Sequence, residues 1–260
     1  MSGPSEVPQS ARVGYKGRAT NPFREGNYDM VRPFTDALAC AVRRHPNRDD
    51  FEAVGLRAAE HRFGQSGLIF APGDPDDQLY FLLEGTVRLY KSRGGCKEAT
   101  IALLRDGGVF GELGLEGGGS QGAFAEAVTE SRVAKVRKAD IGEVMGRNPG
   151  FAAKLFYSFS DRLRQSDEVI DALLERGVSA RLATLLANLG DRFGETNGSG
   201  TVLNVRLRHQ DLANMIASTR ESVSKVMSEF RRGGLIEVRD QQITITPLFG
   251  RTSAGPTMRN

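Results

Sequence analysis

Five hydrogen-bonding side chains fall on one face of a helix predicted near the carboxyl end of the chain. At about 100° per residue they share one side of the helical wheel: Arg220, Glu221, Ser224, Lys225 and Ser228. An arginine can donate to both acceptors on a guanine edge, and a carboxylate can accept from cytosine N4. The spacing therefore predicts contact with bases in the major groove of DNA, with Lys225 reaching a second base or a phosphate.

A second group of polar residues lies where two helices are expected to begin. Ser218 and Glu221 fit the S-x-x-E capping box, which makes Ser218 the predicted N-cap and gives Glu221 an alternative role as its capping partner. Thr219 stands beside this start, and His209 and Gln210 open the preceding helix. Because helix N-termini attract anions, we expect these groups to bind DNA phosphates. Simple solvation of His209 and Gln210 is the alternative.

The elements that must position these residues follow in a recognisable order. Leu212, Met215 and Ile216 have helical spacing, and a second apolar face follows on the next helix: Val223, Val226, Met227 and Phe230. Gly233-Gly234 ends that helix, and two short strand patterns flank residues 239–241. The order helix, turn, helix, hairpin predicts a winged helix–turn–helix. A small helical domain with a solvated charged face is the plainer alternative.

The rest of the chain divides by its periodicity. Short apolar runs separated by Pro-Gly and Gly-Gly turns predict a β-barrel or sandwich, and a long helical pattern follows it. We predict an α+β protein with five segments: a basic arm with a short helix at 1–48, a sensor barrel at 49–148, a dimerisation helix at 149–176, the winged helix–turn–helix at 177–248 and a tail at 249–260.

Apolar residues recur in steps of three and four along the predicted long helix. The series is Phe156, Phe159, Leu163, Ser166, Ile170 and Leu173, with one polar member. Such a heptad seam is typical of helices that pair in a dimer. The alternative is an ordinary helix that packs its apolar side on the barrel.

Composition excludes several classes of protein. The net charge of the 260 residues is only +3, so local charge is the better guide, and residues 206–239 hold more basic than acidic groups. Three scattered histidines and two distant cysteines offer no catalytic centre, metal site or iron–sulfur cluster. No apolar run is long enough for a membrane span, and a cytoplasmic location is expected. The G-x-G-x-x-G at 117–122 lies within β-type sequence and does not indicate a dinucleotide fold.

Four segments resemble the Crp/Fnr superfamily of transcription regulators. They are Ile69–Pro75 with Tyr80–Gly85, which resembles the family's early barrel signature, Phe110–Leu115, its phosphate-cassette opening, and Arg220–Lys225, its DNA-reading helix. The segment Ile101–Arg105 is also similar to the cyanobacterial global nitrogen regulator. The resemblance implies a jelly-roll barrel like those that bind cyclic nucleotides, a homodimer on a palindromic operator of double-stranded DNA, and RNA polymerase as a partner.

The resemblance also implies a small-molecule effector in the barrel. Gly111 and Glu112 match the family's ribose-binding turn, but Gln121-Gly122 stand where cyclic-AMP receptors carry an Arg-Ser pair for the phosphate. A neutral glutamine cannot replace the charged fork of arginine. Cyclic AMP is therefore disfavoured.

The long helix carries the remaining positions that the resemblance assigns to the effector. Ser166 and Asp167 stand where the purine would be faced, and Arg162 matches the arginine that holds 2-oxoglutarate in the nitrogen regulator. The open choices are a 2-oxoglutarate-like anion, cyclic AMP and no effector at all.

Two other classes of function, a signalling module and an enzyme, fit the sequence less well. A signalling module could use the winged helix for protein contacts, but such a helix should expose apolar anchors, whereas this one exposes Arg220, Glu221 and Lys225. An enzyme with a regulatory barrel would need a catalytic domain, and the barrel and winged helix occupy the chain. The sequence therefore favours a transcription regulator that is not an enzyme.

Overall fold

A computed structural model describes residues 46–93, 97–112 and 119–249. Most of the predicted arm, both cysteines and most of the predicted tail lie outside these ranges, so the expectations made for them are not addressed. Within the described residues, no helix combines the length and apolarity that crossing a lipid bilayer requires.

A short helix and eight strands form the first unit. Their bounds are α1 Arg48–Ala53, β1 Ala59–Phe63, β2 Leu68–Phe70, β3 Gln78–Glu84, β4 Val87–Arg93, β5 Lys97–Leu104, β6 Val109–Phe110, β7 Phe124–Ala127 and β8 Ser131–Arg137. They pair antiparallel in two sheets of order β1-β8-β3-β6 and β2-β7-β4-β5. This is the strand order of a jelly roll, so the predicted barrel is confirmed.

Aromatic side chains fill the barrel core. Phe70, Tyr80 and Phe110 are buried together, with ring centroids 4.9 to 6.0 Å apart. On the other side of the β1-β8-β3-β6 sheet, Phe51 of α1 packs edge-on against Phe81. Sequence patterns did not predict the strands β1, β6 and β7. The strands β6 and β7 are short, and β1 is exposed along most of its length.

Two helices follow the barrel, α2 Lys138–Arg147 and α3 Pro149–Leu174. Asn148 caps α3 by accepting from the backbone N–H of Phe151 at 2.9 Å, and Pro149 occupies a first-turn position that needs no N–H. The predicted long helix is thus present and ends two residues early. Gly177 follows with φ of +93°, a conformation that favours glycine and redirects the chain.

The last unit is a winged helix–turn–helix, as predicted. Its elements are α4 Val178–Phe193, β9 Gly194–Asn197, β10 Gly200–Leu203, α5 His209–Met215, α6 Arg220–Arg232, β11 Ile236–Arg239 and β12 Gln242–Ile245. The strands form one antiparallel sheet of order β11-β12-β10-β9. Asp240 and Gln241, both at positive φ, make the tight turn of the wing.

One boundary predicted for this unit was wrong. Before α5, residues 194–197 pair with residues 200–203 and form a hairpin, whose second strand ends at Leu203. Phe249, placed in the tail, is buried and packs edge-on against Phe230, so the winged core extends one residue further.

The barrel and the winged unit share a boundary. Leu103 of β5 is buried in the same apolar cluster as the core of the winged unit. The Asn214 amide of α5 donates to Glu98 Oε2 at 3.0 Å, and that carboxylate also pairs with Arg88 at 2.8 Å. The first helix of the helix–turn–helix is therefore held against strand β5.

Candidate nucleic-acid interface and barrel pocket

Helix α6 has one buried face and one exposed face. Its buried side chains anchor it in the core of the winged unit: Val223, Val226, Met227 and Phe230. The opposite side chains are exposed, and we call them the α6 outer face: Arg220, Glu221, Lys225 and Ser228. Neither Arg220 nor Lys225 forms an ion pair with a carboxylate of the described residues. Both cations are thus available to an external partner.

The start of α6 differs by one residue from the predicted capping box. Thr219 is the N-cap, and its hydroxyl accepts from the Ser222 backbone N–H at 3.2 Å. Ser218 belongs to the turn, where its N–H donates to the Ala213 carbonyl at 3.0 Å. The prediction that Ser218 caps the helix was therefore wrong, and the cause is the turn, which fixes where the first helical residue can stand.

Glu221 lies in the first turn of α6, beside this cap. Hydrogen bonds from its own backbone N–H and from the Thr219 hydroxyl lower the pKa of its carboxyl. A carboxylate near a helix N-terminus is stabilised by the helix dipole. The side chain is exposed, so the same oxygens face outward beside Arg220.

Two residues predicted to contact DNA also contact each other. His209 Nδ1 lies 2.8 Å from Ser224 Oγ, which links the start of α5 to the middle of α6. Gln210 remains exposed and donates through Nε2 to Asn214 Oδ1 at 2.8 Å. Arg208 precedes α5 without a side-chain cap, and the Asp211 carboxylate accepts from its backbone N–H at 2.7 Å. Of these contacts, only the one between His209 and Ser224 joins the two helices.

The barrel brings together three of the predicted effector residues. Gly111 has φ of +103°, and a Cβ there would lie 3.1 Å from the Tyr80 ring, so only glycine fits. Glu112 Oε1 accepts from the Gly122 backbone N–H at 2.9 Å. Gln121 is buried, and its amide donates to the Pro75 carbonyl at 3.5 Å. Gln121, which stands where the resemblance places an arginine, thus makes an internal contact.

The long helix supplies the other three predicted effector residues. Arg162 donates to Ser166 Oγ at 3.2 Å and to the Ile101 carbonyl at 3.4 Å. Burial, reinforced by the positive charge of Arg192, lowers the pKa of Arg162 to about 10, and the Glu112 carboxylate acts in the opposite direction. Asp167 is exposed in the single chain and bonds to none of the other five.

Sequence patterns missed a buried ion pair beside the cassette. Lys138 Nζ lies 3.4 Å from Asp76 Oδ2, both side chains are buried, and Asp76 Oδ1 accepts from the Gly119 N–H at 2.8 Å. The partners are 62 residues apart in sequence, so no local spacing could have indicated the pair. No cluster of metal-ligating side chains occurs in the part of the chain described.

The predicted dimer seam is exposed over most of its length. Phe156, Leu163 and Ile170 are 72%, 65% and 56% exposed, and they recur every seven residues. With Leu174, also exposed, they form what we call the α3 stripe. Phe159 does not belong to it, since it packs against the barrel core, and Ser166 is bonded to Arg162. An exposed apolar row of this kind is typical of an interaction surface.

Two family models match this chain. One, a cyclic nucleotide-binding domain, covers residues 60–148, and the other, a Crp-like helix-turn-helix domain, covers residues 180–248. The first range contains Gly111, Glu112 and Gln121 of the barrel, and the second contains the α6 outer face.

Curated proteins and solved structures give the same result. The global nitrogen regulator of Synechocystis is 33% identical over 186 residues, which cover 70% of this chain and 82% of that protein. A CRP-like cAMP-activated global transcriptional regulator of Mycobacterium tuberculosis is 24% identical, with coverage of 71% and 82%. The structure of a CRP-family transcriptional regulator from Thermus thermophilus matches with a TM-score of 0.63 and 27% identity, with coverage of 74% and 96%. These relatives are regulators of transcription and not enzymes.

Proposed function

The chain belongs to the Crp/Fnr family of transcription regulators, and from that premise we propose that it acts as a homodimer on a palindromic DNA operator. Each winged helix–turn–helix would place α6 in the major groove, with half-sites about 34 Å apart. The family's regulators act on RNA polymerase, which we include among the partners. The observation that carries the proposal is the α6 outer face, which is charged and exposed on a helix anchored by four buried side chains.

Base reading is assigned to residues of that face. Arg220 would donate to guanine O6 and N7, and Glu221 would accept from cytosine N4. Lys225 would reach a second base or a phosphate without the bidentate fork of arginine. Phosphate contacts would come from Thr219 and Gln210 at the two helix starts, with Ser218 in the turn between them. His209 and Ser224 would orient the two helices through the hydrogen bond between them. Their contact with phosphates would be peripheral.

A binding experiment separates base reading from general attraction to DNA. Duplexes selected from a random pool by the purified protein supply the specific site. Arg220→Ala should cost about 1–3 kcal/mol on that duplex and little on random DNA. Arg232→Ala, which removes the same charge from the exposed last turn of α6, is the matched control and should weaken both duplexes alike. Equal losses on both duplexes for Arg220→Ala would contradict base reading.

The dimer is assigned to the α3 stripe. Two helices that pair along Phe156, Leu163 and Ile170 would remove the largest exposed apolar side chains of this helix from water. A parallel pair would also relate the two winged units by a two-fold axis, which matches a palindromic site.

A small effector in the barrel is part of the proposal, and its chemistry follows from the pocket residues. Arg162 is the cation that could bind a carboxylate, whereas buried Gln121 offers no charge to a phosphate. We therefore favour a 2-oxoglutarate-like dicarboxylate over cyclic AMP. If 2-oxoglutarate strengthens operator binding about tenfold, Arg162→Ala should abolish the effect and Asp167→Ala should not. If neither 2-oxoglutarate nor cyclic AMP changes the affinity for the operator, DNA binding is effector-independent.

A further inference from the structure

A cavity of about 50 Å³ lies where the barrel, the long helix and the winged unit meet. Its walls are mainly apolar and come from β5, α3, α4 and α5, and they also include Glu168, Asn188 and Arg192. A cavity of this size exceeds what one water molecule needs. We call it the junction cavity.

Two polar atoms in its wall lack a hydrogen-bond partner among the described residues. They are Thr100 Oγ1 and Gln165 Oε1, and both side chains are only 3% exposed. An unsatisfied buried polar group costs about 1–3 kcal/mol, and native proteins keep few of them. Two such atoms on one cavity indicate a place that a bound molecule completes.

The orientation of the Gln165 amide is fixed. Its Nε2 donates to Asp161 Oδ2 at 2.9 Å, and a carboxylate can only accept. Gln165 Oε1 must therefore serve as an acceptor, while the Thr100 hydroxyl can donate. A ligand amide offers both an N–H and a carbonyl oxygen, and a ligand hydroxyl offers the same two roles in one group.

A second cavity of about 170 Å³ adjoins the first and shares Gln165 and Arg192 with it. Its lining includes three further arginines, Arg105, Arg162 and Arg164, and two carboxylates, those of Asp161 and Asp191, so the basic groups outnumber the acidic ones. Arg164 and Arg192 pair with Asp161, but Arg162 has no carboxylate within ion-pair distance in the described residues. Burial, reinforced by the positive charge of Arg192, lowers the pKa of Arg162. The second cavity is thus suited to an anionic group.

We propose that the two cavities together bind a small carboxylic acid that has an apolar body and an amide or hydroxyl group. The carboxylate would lie among the arginines, the polar group between Thr100 and Gln165, and the apolar body in the junction cavity. The site shares Arg162 with the effector residues proposed above, but neither cavity is lined by Gly111, Glu112 or Gln121. Since three parts of the chain form its walls, the ligand would favour their docked arrangement.

Titration calorimetry of the full chain with N-acetyl-L-leucine tests the site. This probe carries a carboxylate, an amide and an isobutyl group, and we expect a Kd of about 1 mM or tighter. Thr100→Val and Gln165→Leu should each weaken binding about tenfold, because each removes one hydrogen bond to the ligand. N-acetyl-L-leucine amide, which lacks the carboxylate, should bind to the parent protein as weakly as N-acetyl-L-leucine binds to these variants.

Two controls distinguish the site from a structural effect. Thr100→Val should leave the thermal midpoint unchanged or raise it, because it removes an unsatisfied hydroxyl without changing the shape. Thr244→Val, on strand β12 away from the cavity, should leave the Kd unchanged. Absence of saturable binding, as expected if the cavities hold only water, would overturn the proposal. So would binding that survives both Thr100→Val and Gln165→Leu.

Discussion

Shortening one side chain of the α3 stripe tests whether two copies of the chain associate through it. Leu163 is 65% exposed, so Leu163→Ala removes little from the single chain. In a dimer it removes three carbon atoms whose burial is worth about 0.8 kcal/mol each. About two-thirds of that value is gained on association, and each dimer contains two copies. The expected loss is about 3 kcal/mol, which raises the dissociation constant about 100-fold.

Sedimentation equilibrium over a range of concentrations measures this change. Leu68→Ala is the matched control, since Leu68 is 51% exposed on strand β2 of the barrel, and it should leave the dissociation constant unchanged. Denaturant unfolding at a concentration where the chain is monomeric should show that Leu163→Ala lowers the free energy of unfolding by less than about 1 kcal/mol. An unchanged dimer for Leu163→Ala, or equal effects of both substitutions, would refute the assignment of the interface to α3.

Three further predictions concern stability, measured by urea unfolding. Thr219→Ala should lower the free energy of unfolding by about 1 kcal/mol, whereas Ser218→Ala should lower it much less, because only Thr219 caps α6. The reverse order would support the predicted capping box, in which Ser218 is the N-cap. Ala217→Gly should raise the free energy of unfolding by about 1 kcal/mol, since Ala217 has φ of +48°, and a loss would show that the turn tolerates alanine. Lys138→Met should cost about 3 kcal/mol or more, because it leaves a buried carboxylate unpaired. Arg147→Met, which breaks an exposed pair, should cost less than about 1 kcal/mol, and similar costs would contradict burial of the first pair.

Periodicity predicted the order of the elements because burial imposes it on each element separately. The four apolar residues of α6 are buried as their spacing required, and the glycine-separated runs became strands of the jelly roll. The α6 outer face was predicted for the same reason, since the residues opposite a buried face must be exposed. Strands β6 and β7 escaped prediction because two to four residues carry too little pattern.

Details of the sites depended on neighbours that the sequence does not bring together. Ser218 and Thr219 are both good capping residues, and the turn that places Ala217 at positive φ decided between them. Gln121 was expected to be a neutral residue facing a ligand, and the fold buries it against Pro75. Phe159 belongs to the heptad series but packs on the barrel core.

The sequence by itself determined which residues face a core and which helix presents Arg220, Glu221 and Lys225, because helix and strand periods are local properties of the chain. Only the tertiary structure decided that Asp76 meets Lys138, that Asn214 reaches Glu98 across the boundary, and that the amide oxygen of Gln165 lacks a partner among the residues described. These contacts join segments up to 116 residues apart in sequence. Their geometry follows from how the barrel, the long helix and the winged unit pack together, which no local pattern encodes.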